Sequence, residues 1–123
     1  IAPVVVGSLR GVPVSIGGTK WKPEMPIESI VKERLSDILE MTDVYQKAVS
    51  ALLFVTRGQL FIDGNKRTSA IFANHILISQ GAGLIAIPED DVLEYKKLLI
   101  AYYETNDASP ISKFLLEKCL TKI

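Results

Sequence analysis

Asp63-Gly64-Asn65-Lys66-Arg67-Thr68-Ser69-Ala70-Ile71-Phe72-Ala73-Asn74-His75-Ile76-Leu77-Ile78 is the stretch on which the reading of this chain turns. Polar and charged residues crowd its opening positions, and an almost continuous apolar body follows. A helix beginning after Gly64 and running to Gly81 accounts for both halves. Its body, Ala70–Ala73 and Ile76–Ile78, is apolar on nearly every side, as a central, surrounded helix would be. Its start gathers cations where unpaired backbone N–H groups and the helix dipole already favour an anion. Gly64 lets the backbone turn sharply, Lys66 and Arg67 can contact phosphate oxygens, and Asp63 could hold a magnesium ion shared with the phosphates. The same residues also fit an ordinary helix start, with Asp63 or Asn65 as cap and both cations in water. A Walker loop is excluded, because the second glycine it needs before Lys66 is missing.

Upstream, Ile27, Ile30, Val31, Leu35, Ile38 and Leu39 recur at helical spacing and predict an amphipathic helix. Thr42 or Asp43 can cap a second helix, with Val44, Ala48, Ala51, Leu52 and Val55 on its buried face and Gly58 at its end. Gln59 to Gly64 is then a short turn. Nearer the start, Val4-Val5-Val6 and Val12-Pro13-Val14-Ser15-Ile16 are β-prone runs around Gly7 and Gly11, which predicts a hairpin. Gly17-Gly18-Thr19 leads through Trp21 and Pro23 to Pro26 as a connecting loop. Downstream, Pro88 with Glu89, Asp90 and Asp91 opens a fourth helix carrying Val92, Tyr95, Leu98 and Leu99 inward, and Ser109-Pro110 opens a fifth with Ile111, Phe114 and Leu115. The fold class is therefore mainly α: a helical bundle around a central buried helix, with an N-terminal β-hairpin. Residues 1–24 form hairpin and connector and residues 25–123 the helical core of one domain, the size that 123 residues suit.

Fourteen basic side chains balance fourteen acidic ones, so general binding to nucleic acid is not expected and any anion site must be local. Cys119, the single cysteine, lies among Leu115, Leu116 and Leu120 and reads as a small buried thiol, in keeping with a cytoplasmic location. No apolar run is long enough to span a bilayer, and no signal peptide is evident. A start at Ile1 leading straight into a strand-like run suggests a fragment of a longer protein.

Phe61-Ile62-Asp63-Gly64-Asn65-Lys66-Arg67-Thr68 resembles the signature of the Fic (filamentation induced by cAMP) family, His-Pro-Phe-x-Asp/Glu-Gly-Asn-Gly-Arg-x-x-Arg. The likeness extends over essentially the whole chain. Fic proteins are mainly helical, and many transfer AMP from ATP to a hydroxyl side chain of a target protein. The resemblance implies that Phe61 packs under the loop and that Asp63 holds Mg. It implies that Gly64 and Asn65 line the anion hole and that Arg67 grips the outer phosphates, with Lys66 and Thr68 beside them. The hairpin, with Val14, Ser15, Ile16, Gly17 and Gly18, is similar to the family's target-positioning flap, whose free edge pairs with an extended target segment by strand addition.

Three positions depart from that signature. Gln59 stands at the histidine, and a neutral amide cannot accept the proton that an incoming hydroxyl loses. Lys66 replaces the second glycine, as in the death-on-curing branch, which resembles a kinase. Ala70 stands at the second arginine. The expected function is thus a domain that binds ATP and Mg, with nucleotidyl transfer weak or lost. The alternatives are a death-on-curing-like phosphotransferase or a nucleotidyltransferase that tolerates glutamine, and a non-enzymatic protein-interaction module. His75 lies too far along its helix to replace the base. Ser36-Asp37-Ile38-Leu39-Glu40 fits the core of the family's inhibitory helix only superficially, since Met41 breaks the pattern.

Overall fold

Asp43 starts the helix around which the others pack. Its Oδ1 accepts the backbone N–H groups of Tyr45 (2.9 Å) and Gln46 (3.1 Å), satisfying two first-turn donors. The computed structural model describes residues 9–122 and places α1 at Glu28–Leu39, α2 at Val44–Gly58, α3 at Asn65–Ser79, α4 at Val92–Thr105 and α5 at Ser109–Phe114. A 3₁₀ turn, Glu89–Asp91, leads into α4, and a π-helical turn, Leu115–Cys119, continues α5. The mainly helical class read from the periodicities holds, and each predicted helix is present.

The central helix, however, is α2. Ala48, Val49, Ala51, Leu52, Leu53, Val55 and Thr56 are all buried, positions that run round most of its circumference. Against it stand Ala73, Ile76 and Leu77 of α3, Leu99, Tyr102 and Tyr103 of α4, and Ile111, Phe114, Leu115 and Cys119 beyond. The sequence reading had given this place to α3. There the buried residues Asn65, Ser69, Ala73, Ile76 and Leu77 form one stripe, while Ile71 and Ile78 are 63% and 58% exposed. Apolar composition did not reveal which face would be covered, because an exposed isoleucine is tolerated. For the same reason α1 buries only Val31 and Ile38 of its apolar set, and Val92 is exposed at the start of α4, ahead of the core.

Of the two strands predicted near the start, only the second falls among the described residues. Val4–Val6 lies outside the described residues. Val12–Ile16 is irregular backbone, without strand pairing among the described residues, and Pro13 within it has no N–H to give a ladder. The two-stranded sheet instead pairs β1 (Gly83–Ile85) antiparallel to β2 (Leu120–Lys122), with Leu84 opposite Thr121. It hangs from α3 through Asn74, whose Nδ2 donates to Ile85 O (3.0 Å) and whose Oδ1 accepts the Ile85 N–H (2.7 Å). Gly83 makes the close approach possible: at φ 153°, a Cβ there would stand 2.3 Å from Thr121 O. Gly83→Ala is expected to destabilise the chain by about 1–3 kcal/mol, read from urea unfolding.

Cys119 is buried as expected, and burial, reinforced by Asp91, pushes its thiol up to about 11. No helix among the described residues is long and apolar enough to cross a membrane.

Candidate functional site

The site begins where α2 stops. Gln59 ends the helix in the left-handed conformation (φ 43°, ψ 54°), its N–H still donating to Val55 O at 3.1 Å. That turn sets Leu60 in a second apolar cluster with Val31 and Val55, with Phe61 half-buried against it. Leu60, buried at 4% exposure, stands where the family signature has proline, a departure the sequence reading did not weigh.

Asn65 holds the turn from below. It is buried; its Oδ1 accepts the Phe61 N–H (3.0 Å), and its Nδ2 donates to Phe61 O (2.8 Å) and to Gln59 Oε1 (3.3 Å). The Gln59 side chain also donates from Nε2 to Thr56 O (2.6 Å). Both ends of its carboxamide are thereby engaged by the loop itself.

Gly64 takes φ 77°, and α3 starts from it with no side-chain cap. Asp63 is exposed and accepts its neighbour's Gly64 N–H at 2.8 Å, so neither Asp63 nor Asn65 caps the helix. The side-chain cap of the ordinary-start alternative is absent, while both cations are exposed as it expects. The first-turn N–H groups of α3 thus have no side-chain cap, and Lys66 and Arg67 beside them are both exposed and in no ion pair among the described residues.

A cavity of about 500 Å³ lies over this turn, lined by Gln59, Ile62, Asp63, Gly64, Asn65, Lys66 and Arg67. Ser15, Ile16 and Gly17 form its opposite wall, with Tyr103 at one side. Thr68, Val14 and Gly18 do not line it; Gly18 instead makes the turn that follows, at φ 89°. His75 is exposed on α3 and does not line it either, nor does any residue of Ser36–Glu40. The Tyr103 hydroxyl is pushed well above its ordinary value by burial first and by Tyr95 and Tyr102 next. It can donate a hydrogen bond here but not take up a proton. Trp21 stacks on Tyr103 with ring centres 5.5 Å apart, as packing residues do.

The segment carrying Ser15–Gly17 is set by Arg10, which the sequence reading passed over as a loop residue. Arg10 is 3% exposed, and burial draws its guanidinium below the usual arginine value. It donates to the carbonyls of Gln59, Gly58 (3.4 Å), Glu24 (2.6 Å) and Val12 (2.9 Å), while its own N–H meets Leu60 O at 2.8 Å. One cation thus joins the end of α2 to the segment that walls the cavity, and it suits the negative end of that helix. A lone arginine in a Gly-rich stretch carries no sequence signal of this role.

Among the described residues, Asp63 is the only carboxylate side chain lining the cavity, and they contain no cluster of acidic, His or Cys side chains able to hold a metal alone. A divalent ion would fit only if phosphate oxygens supplied most of its ligands, as magnesium commonly requires.

A comparison with curated proteins gives no match. The sequence profile of the Fic/DOC family matches residues 3–77, more than half of the chain, and spans the helix end, the loop and α3. On that match, joined to a helical fold that opens its third helix on Asp63-Gly64-Asn65-Lys66-Arg67, the chain belongs to the Fic/DOC family, whose domains are of the nucleotide-transfer type.

Proposed function

We propose that this domain binds ATP with magnesium at the Asp63–Arg67 turn and transfers a nucleotidyl or phosphoryl group to protein hydroxyls slowly or not at all. The observation that carries the reading is the uncapped start of α3, flanked by Lys66 and Arg67, which are in no ion pair among the described residues, at a cavity of about 500 Å³. Phosphate oxygens would take the first-turn N–H groups and both cations, and Asp63 would be the side chain that holds the magnesium. When bound, the ion neutralises developing charge on the phosphates. Gln59 orients rather than deprotonates, since its amide has no basic site and both its ends are tied to Thr56 and Asn65. An extended target segment lies along Ser15–Gly17, which brings its hydroxyl to the turn.

Calorimetric titration of Mg-ATP tests the binding half. Arg67→Ala is expected to weaken affinity by roughly 10- to 100-fold, the worth of a charge-assisted hydrogen bond. Because Arg67 is exposed, stability should stay within about 0.5 kcal/mol. Equal heats from both proteins would refute the assignment of phosphate to this turn.

A further inference from the structure

Arg57 stands just before Gln59 but lines a different cleft, between α1, α2 and the far end of α4. Its guanidinium carbon lies 4.6 Å from the centre of the Trp21 ring and 5.8 Å from that of Tyr102, and its Nη2 donates to Tyr103 O at 3.0 Å. The planar fork is held in one orientation by these faces. Its Nε–H is buried and meets no acceptor among the described residues. An unpaired buried donor on a charged group is among the costliest features of a folded chain, and it leaves this guanidinium short of acceptors.

Arg34 flanks the same cleft, 5.7 Å over the Phe54 ring. Neither arginine belongs to the ion pairs of the described residues, Glu28–Lys32 and Glu94–Lys118. Burial raises the Tyr102 hydroxyl, and Arg57 and Arg34 both draw it back, so the two fields converge on one wall. Cavities of about 640 and 500 Å³ adjoin here, and Arg34, Phe54, Arg57, Gly58 and Asn106 line both. Their size is that of small-molecule sites. Ile38, Met41 and Leu53 give the larger one an apolar wall, while Asp37 there and Glu24 in the adjoining one oppose a multiply charged anion such as phosphate.

We infer that this cleft binds a single carboxylate carried on an apolar or aromatic body, its oxygens taking Nη1 of Arg57, next to the buried Nε–H, and the Arg34 guanidinium. The carboxylate belongs either to a free organic acid or to an acidic side chain of a protein segment; the recognition is the same. The site is separate from the Asp63–Arg67 turn and does not rest on ATP binding there.

The test follows the Arg57 Nε–H resonance of the ¹⁵N-labelled chain, titrated with sodium benzoate, a capped Phe-Glu-Phe peptide and inorganic phosphate. Benzoate is expected to move it saturably, and Arg34→Gln, at an exposed position, to weaken that binding by roughly tenfold or more. A peptide that binds at least about tenfold tighter than benzoate assigns the carboxylate to a protein segment, and comparable affinities assign it to a free acid. Phosphate is expected to shift backbone signals at Lys66 and Arg67 and to leave Arg57 in place. An Nε–H unmoved by both carboxylates, binding indifferent to Arg34→Gln, or phosphate preferred at Arg57 would each overturn the inference.

Discussion

Gln59→His is expected to raise transfer from labelled ATP to protein by about 100- to 10,000-fold, the range over which a positioned general base acts. The backbone accepts the change: residue 59 is left-handed at φ 43°, a region where histidine is enriched several-fold over most non-glycine residues. The carboxamide bonds to Thr56 and Asn65 are lost, which costs about 1 kcal/mol each and leaves the fold intact. Gln59→Ala is the control, because it loses the same bonds and adds no base; its transfer stays at the wild-type floor. Mg-ATP affinity should move little in either variant, so the gain appears in turnover. If the histidine variant folds, binds Mg-ATP and still labels nothing in a lysate, the missing base is not what limits this chain.

Arg10→Ala is expected to destabilise the domain by about 3–5 kcal/mol, since it leaves several carbonyls at the end of α2 and in the N-terminal segment without a donor. It should also weaken Mg-ATP binding, because Ser15–Gly17 lose the clamp that sets them across the cavity. Arg10→Lys recovers part of the stability: the charge remains, but a compact ammonium cannot fork to as many oxygens. Urea unfolding reads the first effect and calorimetry the second. A stability change under about 0.5 kcal/mol for Arg10→Ala would mean that the carbonyls find water instead.

These two residues mark the boundary of what the sequence discloses. The helices were legible because apolar spacing and a few terminal residues, Asp43 and Gly58 among them, act locally. The turn at Asp63–Arg67 was legible because its chemistry lies in consecutive residues, and the structure brings them round one cavity. The opposite wall was foreseen only in part: Ser15, Ile16 and Gly17 face the turn, but as irregular backbone rather than a strand. What escaped was everything that depends on distant partners. Arg10 answers to carbonyls far along the chain, Asn74 to a strand that could not be placed, and the choice of α2 over α3 as centre to how five helices share their apolar faces.

Asn74 has one more consequence. By giving Ile85 both a donor and an acceptor, its carboxamide closes the outer rim of β1 as a neighbouring strand would. The sheet cannot grow on that side. For this sheet, pairing with another molecule is left to the rim of Leu120–Lys122. There Lys122, its Nζ 4.9 Å from the centre of the Tyr45 ring, gives the edge strand a charged residue, which opposes pairing with another chain.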